Sequence, residues 1–262
     1  MASRLPSTTN FVGLLPAAGE GRRLGRLPGS KELLPVGFRR KEGRLEPVPV
    51  CVRVLEQMRQ AGVASSFLVI REGKWDIPHY LGDGTVVDMR LGYLIRGRPY
   101  GPPYSLDQAY PFIRQALVAF GFPDILTRPA DVYVRLRQRW EQTGADVVLG
   151  LYPAHRPEVM DMVELDADQR AVRLLLKPQR TELTHTWINA LWAPGFTEFL
   201  HEHLGALPLP EYELTVGHVL QAAMEKGLRV DGVGFQDGAY LDIGTPEQFQ
   251  GALRHPTLWG LE

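Results

Sequence analysis

Apolar runs of strand length alternate along the chain with segments of helical period. Residues 11–16 form a short, nearly all-apolar run that stops at a glycine-rich stretch. In residues 48–61, Val48, Val52, Leu55, Met58 and Ala61 fall on one helical stripe. Residues 66–70 and 115–122 read as strands. Residues 129–143 read as a helix, with Val132, Leu136 and Trp140 four apart, and residues 146–152 as another buried strand. Continuous apolar strands separated by amphipathic helices predict a mainly parallel sheet covered on both faces. The second half differs. Residues 158–166 and 171–177 read as strands joined by a short polar turn, a local antiparallel excursion. Helices are predicted near residues 194–204 and 215–226, then a strand over 229–235. The short strand 239–243 leads into a helix opened by Thr245 as N-cap, Pro246 at N1 and Gln248 at N3. No repeat or linker divides the chain, so one α/β domain over residues 1–262 is expected.

Composition narrows the class without naming it. A hydrophobic fraction of 44% and a charged fraction of 23% are those of an ordinary globular protein. No apolar run approaches the roughly 20 residues of a membrane-spanning helix, and the polar N-terminus lacks a signal-peptide core. An unprocessed cytoplasmic protein is the expectation, and the single Cys51 fits a reducing compartment. A net charge of -1 argues against a general nucleic-acid partner. Oligomeric state is left open, a homo-oligomer included.

Residues 14–36 carry the chemistry. After the first strand come Pro16-Ala17-Ala18-Gly19-Glu20-Gly21-Arg22-Arg23-Leu24-Gly25 and then Ser30-Lys31-Glu32-Leu33-Leu34-Pro35-Val36. Small residues let backbone N–H groups approach an anion where a Cβ would obstruct. Arg22, Arg23 and Lys31 add positive charge suited to phosphate. Strand, glycine turn and cations are ordered as at the carboxyl edge of a nucleotide-binding sheet. No Gly-Lys-Ser/Thr is present, which excludes a P-loop. Gly19, Gly21 and Gly25 have the wrong spacing for a dinucleotide fingerprint. Pro28, Gly29 and Pro35 also forbid a long helix directly after the loop.

These two blocks resemble the signature of sugar-1-phosphate nucleotidylyltransferases, most nearly the glucose-1-phosphate thymidylyltransferases. The resemblance extends to Asp76-Ile77-Pro78 with Leu81-Gly82-Asp83-Gly84, to Leu106-Asp107-Gln108-Ala109, and to the stretch from Tyr240 to Glu247. It implies a three-layer, Rossmann-like (GT-A-like) fold, with a nucleotide-binding half over residues 1–150 and a sugar-phosphate half over 151–262. The reaction it implies is attack of a sugar 1-phosphate, glucose 1-phosphate in the first instance, on the α-phosphorus of dTTP or UTP. The products are a nucleotide sugar and pyrophosphate. Two anions must meet while a third group departs, so positioning and charge neutralisation dominate. Mg²⁺ is the implied ion.

By this resemblance Arg23 holds the leaving phosphates and Lys31 offsets charge on the transferred group. Ala18, Gly19, Gly21, Arg22 and Gln108 contact the nucleotide. Asp124 and Asp242 hold the metal, and Lys177, Asn189 and Glu164 meet the sugar phosphate. The sugar side departs from the family pattern: Leu176 replaces a glutamate, Met160-Asp161 a Tyr-Gly pair, and Asn189-Ala190 a Thr-Gly pair. Pro123 also interrupts the Gly-Asp run expected before Asp124, and Arg96 and Ser105 replace a glutamine and a glycine near the base-reading segment. Those departures keep open transfer to another phosphorylated acceptor, and a nucleotide- or phosphosugar-sensing module without efficient catalysis. His201-Glu202-His203 is discounted as a metal site, because residues two apart on a helix face different sides. Arg39-Arg40-Lys41-Glu42 reads as an exposed loop. No nucleophile–base set for covalent catalysis is present.

Overall fold

The computed structural model describes residues 10–96, 100–208 and 213–262. Most of the polar N-terminus and the start of the loop over residues 97–105 lie outside them. In chain order the elements are β1 (Phe11–Pro16), β2 (Pro35–Lys41), β3 (Arg44–Pro49), α1 (Val50–Gln60), β4 (Ser65–Ile70), α2 (Asp76–Leu81), β5 (Arg90–Ile95), α3 (Pro102–Leu106), α4 (Tyr110–Ile113), β6 (Leu117–Phe120) and β7 (Ile125–Arg128). There follow α5 (Val132–Thr143), β8 (Val147–Pro153), β9 (Met162–Leu165), β10 (Ala171–Leu175), β11 (His185–Trp192), α6 (Pro194–Ala206), α7 (Val216–Glu225), β12 (Val230–Gly234), β13 (Ala239–Asp242) and α8 (Pro246–Arg254).

β1 pairs in parallel with β4 and β6, β4 with β5, and β8 with β12. β11 is the antiparallel insertion, bonded to β8 along one side and to β6 along the other. β1, β4, β5, β6, β8 and β12 therefore run the same way, and their carboxyl ends share one edge. The β9–β10 hairpin joins through Thr186 of β11 opposite Met162. Two apolar clusters cover the sheet: one under α1 and α5, the other under α3, α4, α6 and α7. The expected three-layer α/β architecture with an antiparallel excursion is observed.

Three sequence expectations change. Residues 39–42 are not a loop, since β2 and β3 form an antiparallel hairpin that turns at Glu42-Gly43. The strand expected over residues 158–166 shrinks to β9, because Pro157–Val159 coil into a 3₁₀ turn. Lys177 stands beyond β10, with a left-handed φ of 43°. The cap at Thr245 is as predicted: its hydroxyl accepts the Gln248 N–H at 3.4 Å.

β7 lies outside the main sheet, so something other than the main ladder must hold it. Gln57 of α1 does so, donating to the Thr127 carbonyl at 2.9 Å and accepting the Thr127 hydroxyl at 3.1 Å. Both residues are buried. We predict that Gln57→Leu, which leaves buried Thr127 groups without these partners, destabilises the protein by about 1–3 kcal/mol in a denaturant melt.

Candidate active site

At the shared carboxyl edge, β1 delivers the glycine-rich loop and β6 runs into Gly121-Phe122-Pro123-Asp124. β7 starts immediately afterwards and pairs antiparallel with β13, placing Asp242 opposite Ile125. The Ile243 N–H donates to the Asp124 carbonyl at 3.1 Å. Two aspartates far apart in sequence thus become neighbours at one end of a two-stranded ribbon. Burial raises the Asp242 pKa and the Asp124 charge raises it further, against the Gly244 N–H, Arg23 and Lys31. The Gly244 N–H donates to Asp242 Oδ1 at 2.7 Å. A Cβ on Gly244 would lie 2.6 Å from Arg23 Nη2 and 2.7 Å from Asp242 Oδ1, so a larger residue there would push one of these side chains aside.

The cations come from two 3₁₀ turns, Arg22–Leu24 and Lys31–Leu33, the short coils expected where proline and glycine forbid a longer helix. Lys31 forms a part-buried ion pair with Asp124. Burial works against its ammonium, but the Asp124 carboxylate outweighs this and raises the Lys31 pKa. Its aliphatic stem passes Gly21 (φ 68°), whose Cβ would touch it at 3.6 Å, and its ammonium lies near Gly19. Arg23 reaches Asp242 at 3.4 Å while remaining 66% exposed. Arg22 instead pairs with Glu20 at the surface. Beside the loop lies a cavity of about 390 Å³ lined by Ser30, Lys31, Arg71, Lys74 and Asp76 among others.

The structure therefore brings together Arg23, Lys31, Asp124 and Asp242 around Gly19 and Gly21, with Ala18 buried behind them. Two carboxylates beside a phosphate loop fit Mg²⁺, which takes one or two carboxylates and completes its octahedron with phosphate oxygens and water. Among the described residues no cluster of three or more ligating side chains exists, so the phosphate oxygens would be needed.

Other predicted residues lie elsewhere. Lys177 stands near Asp161, whose pKa is raised by burial against the charges of Lys177 and His218. Glu164 sits on β9 opposite Arg173, 3.9 Å away. Gln108 is exposed, and its amide donates to the Tyr104 carbonyl at 3.4 Å. Asn189 is corrected from a ligand contact to a core link. Its carbonyl accepts Tyr152 at 2.8 Å and its amide donates to Tyr133 at 3.0 Å, and the residue is 3% exposed. His201 and His203 diverge as expected: His201 bonds Asp107 at 2.8 Å, and His203 stacks on Phe199.

Sequence reading missed the supports of the loop. Asp76 accepts the Ser30 N–H at 2.5 Å and the Ser30 hydroxyl at 2.7 Å. Burial pushes the Asp76 carboxyl up, but these bonds outweigh it and hold it below its ordinary value. Beneath Lys31, Glu32 and Lys74 form a buried ion pair at 2.7 Å. A lysine beside Trp75 and Asp76 carries no local mark of a contact so distant in sequence.

No protein-family model matches the chain. It is 22% identical over 239 residues to the low-salt glycan biosynthesis nucleotidyltransferase Agl11 of Haloferax volcanii, covering 90% of this chain and 63% of that protein. It is 27% identical over 239 residues to a glucose-1-phosphate thymidylyltransferase of Mycolicibacterium smegmatis, covering 89% and 77%. A Streptomyces antibioticus glucose-1-phosphate thymidylyltransferase is 23% identical, covering 88% and 62%. The chain thus spans less than two thirds of the Haloferax and Streptomyces proteins. Among solved structures, a Bacillus anthracis chain assigned as a glucose-1-phosphate thymidylyltransferase, in complex with sucrose, superposes with a TM-score of 0.80 at 16% identity, covering 93% of this chain and 94% of that one. UDP-glucose pyrophosphorylase complexed with UDP-glucose gives 0.76 at 17%, covering 94% and 98%. The fold is that of the sugar-1-phosphate nucleotidylyltransferases, and the resemblance read from the sequence motifs is borne out by these relatives. No helix among the described residues is long and apolar enough to cross a membrane.

Because burial and Asp124 raise the Asp242 pKa, its ionised form is less favourable folded than unfolded. The penalty is present above the folded pKa and absent below the ordinary carboxylate range. We predict that Asp242→Asn, whose amide oxygen still accepts the Gly244 N–H, melts higher than wild type at neutral pH in metal-free buffer. The difference should vanish on acidification, and a variant that melts lower at neutral pH would contradict it. Gly244→Ala should displace Arg23 or Asp242 and lower any turnover by at least about 10-fold, with little change in the melting temperature.

Proposed function

We propose that the chain is a sugar-1-phosphate nucleotidyltransferase. It transfers a nucleoside monophosphate from dTTP or UTP to a sugar 1-phosphate, with glucose 1-phosphate as the first candidate, and releases pyrophosphate. The observation that carries this reading is the convergence of Arg23, Lys31, Asp124 and Asp242 on a glycine-lined loop at the sheet's carboxyl edge. The named relatives and the shared fold support the class of reaction.

In this reading the backbone N–H groups of residues 18–21 face the triphosphate. Arg23 neutralises the departing phosphates, and Lys31 sits where charge gathers on the transferred phosphoryl group. Asp124 and Asp242 would hold Mg²⁺, which supplies charge neutralisation and orientation for the phosphate oxygens. Until a triphosphate is present, Lys31 and Arg23 rest on these aspartates, so the positive ends are already aimed at the site. An oxygen of the sugar phosphate attacks the α-phosphorus, forming a P–O bond as the bond to the pyrophosphate oxygen breaks. Lys177 and Glu164 approach the second substrate from the β9–β10 side.

A second reading is a nucleotide-binding sensor without efficient turnover. It is favoured by Asn189, which is 3% exposed and bonded to Tyr152 and Tyr133 within the core, where it offers the sugar side no accessible polar group. Pyrophosphate release, measured for each nucleoside triphosphate against a panel of sugar 1-phosphates with and without Mg²⁺, separates the two. The transferase reading expects Mg²⁺-dependent release with dTTP or UTP and glucose 1-phosphate. It also expects losses of about 10²–10³-fold in kcat for Asp124→Asn, Asp242→Asn and Arg23→Ala. Binding of the triphosphate without release favours the sensor, and unchanged turnover in both aspartate variants removes the metal assignment.

A further inference from the structure

Lys74 follows β4 in the segment Arg71-Glu72-Gly73-Lys74, and its side chain is turned inward with the residue 5% exposed. Its ammonium donates to Glu32 Oε1 and Oε2, both at 2.7 Å, and to the Ala17 carbonyl at 2.9 Å. An ammonium has three N–H donors, and all three are spent. Glu32 is 1% exposed, so its carboxylate is fully enclosed. Ala17 opens the phosphate loop where β1 ends, and Glu32 closes it one residue after Lys31. A single cation therefore holds both ends of the loop.

An ion pair so deeply buried is a poor source of stability. Desolvation of both groups offsets most of their attraction, and apolar residues of like volume serve as well or better. Burial disfavours both charges here, raising Glu32 and lowering Lys74. What apolar side chains cannot reproduce is the bond to the Ala17 carbonyl. That carbonyl sits where the chain leaves the sheet, immediately before Ala18 and Gly19, whose N–H groups form the phosphate-facing backbone. The Ala17 N–H is held by the Val69 carbonyl of β4 at 2.8 Å, which leaves its carbonyl side, the side leading to Ala18, to Lys74. The tie from Asp76 to Ser30 fixes only the later part of the loop.

We propose that Lys74, acting with Glu32, is a positioning residue for the triphosphate half of the site, setting the distance between the start of the phosphate loop and Lys31. The inference rests on the transferase reading only in requiring that a nucleoside triphosphate binds at this loop. Lys74 does not touch the substrate, because no donor remains for it. Its loss acts through the places of Ala18, Gly19 and Lys31.

The test compares wild type, Lys74→Met/Glu32→Met and Glu32→Gln in the full chain. It uses melting temperature, calorimetric titration with dTTP and UTP, and steady-state KM for each substrate. The double variant removes both buried charges, so it should fold with a melting temperature near that of wild type. Its Kd and KM for the triphosphate should nevertheless rise about 10-fold or more, with the KM for the sugar phosphate unchanged. Glu32→Gln keeps only one acceptor for Lys74 and leaves its buried ammonium without a counter-charge, so it should melt well below wild type, with any loss of affinity again falling on the triphosphate alone. A stable double variant with unchanged triphosphate affinity overturns the proposal. Equal weakening of both substrates, in either variant, overturns it too. If the double variant does not fold, Lys74→Gln beside Glu32→Gln decides by the same split between the two KM values. A wild type that binds no triphosphate removes the nucleotide reading itself. One that binds and turns over while the variants match it removes only the role of Lys74.

Discussion

Two carboxylates that repel one another are held side by side by the pairing of β7 with β13. Neither strand belongs to the main sheet, yet their short ladder places Asp242 opposite Ile125 and bonds the Ile243 N–H to the Asp124 carbonyl. The rest of the site follows from accommodating that charge. Lys31 lies against Asp124 and Arg23 against Asp242, with the Gly244 N–H filling in behind.

The ribbon is in turn held by ordinary packing. Gln57 reaches from α1 to Thr127, and α1 packs on the same face as α5, beneath β1 and β6. Tyr133 of α5 donates to the Phe120 carbonyl at 3.0 Å, and Asn189 and Tyr152 continue the chain of bonds across β11 and β8. This polar thread through an apolar layer is fully partnered, as a buried network must be to contribute. It ends on the residue that begins the turn toward Asp124.

How much of this was legible in the sequence depended on how local the signal was. β1, α1, α5, β8 and α7 carry strong apolar periodicity and lay where expected. Arg23, Lys31 and Asp242 stand in motif-like stretches of sequence, whereas Asp124 follows an interrupting Pro123, and the fold brings the four side chains together. The β2–β3 hairpin was not legible, because most of its residues are exposed and its charges gather at the turn, where charge without alternation reads as loop. Lys74 and Glu32 were invisible because only the folded chain brings them together. Asn189 was placed on the sugar side by the family resemblance, and its bonds to two tyrosines distant in sequence form only in the folded chain.

The phosphate loop has a property that follows from its surroundings. Between Gly19 and Ser30 no side chain joins either apolar cluster, and its described ties to the rest of the protein are polar. Its order is therefore set by a few hydrogen bonds and ion pairs, while the order of the sheet is set by burial. The free energy needed to open the loop is separate from the free energy needed to unfold the domain, and far smaller. Amide exchange would see two populations in one molecule: a slow core that reports global stability, and a fast loop that reports only its own few polar bonds.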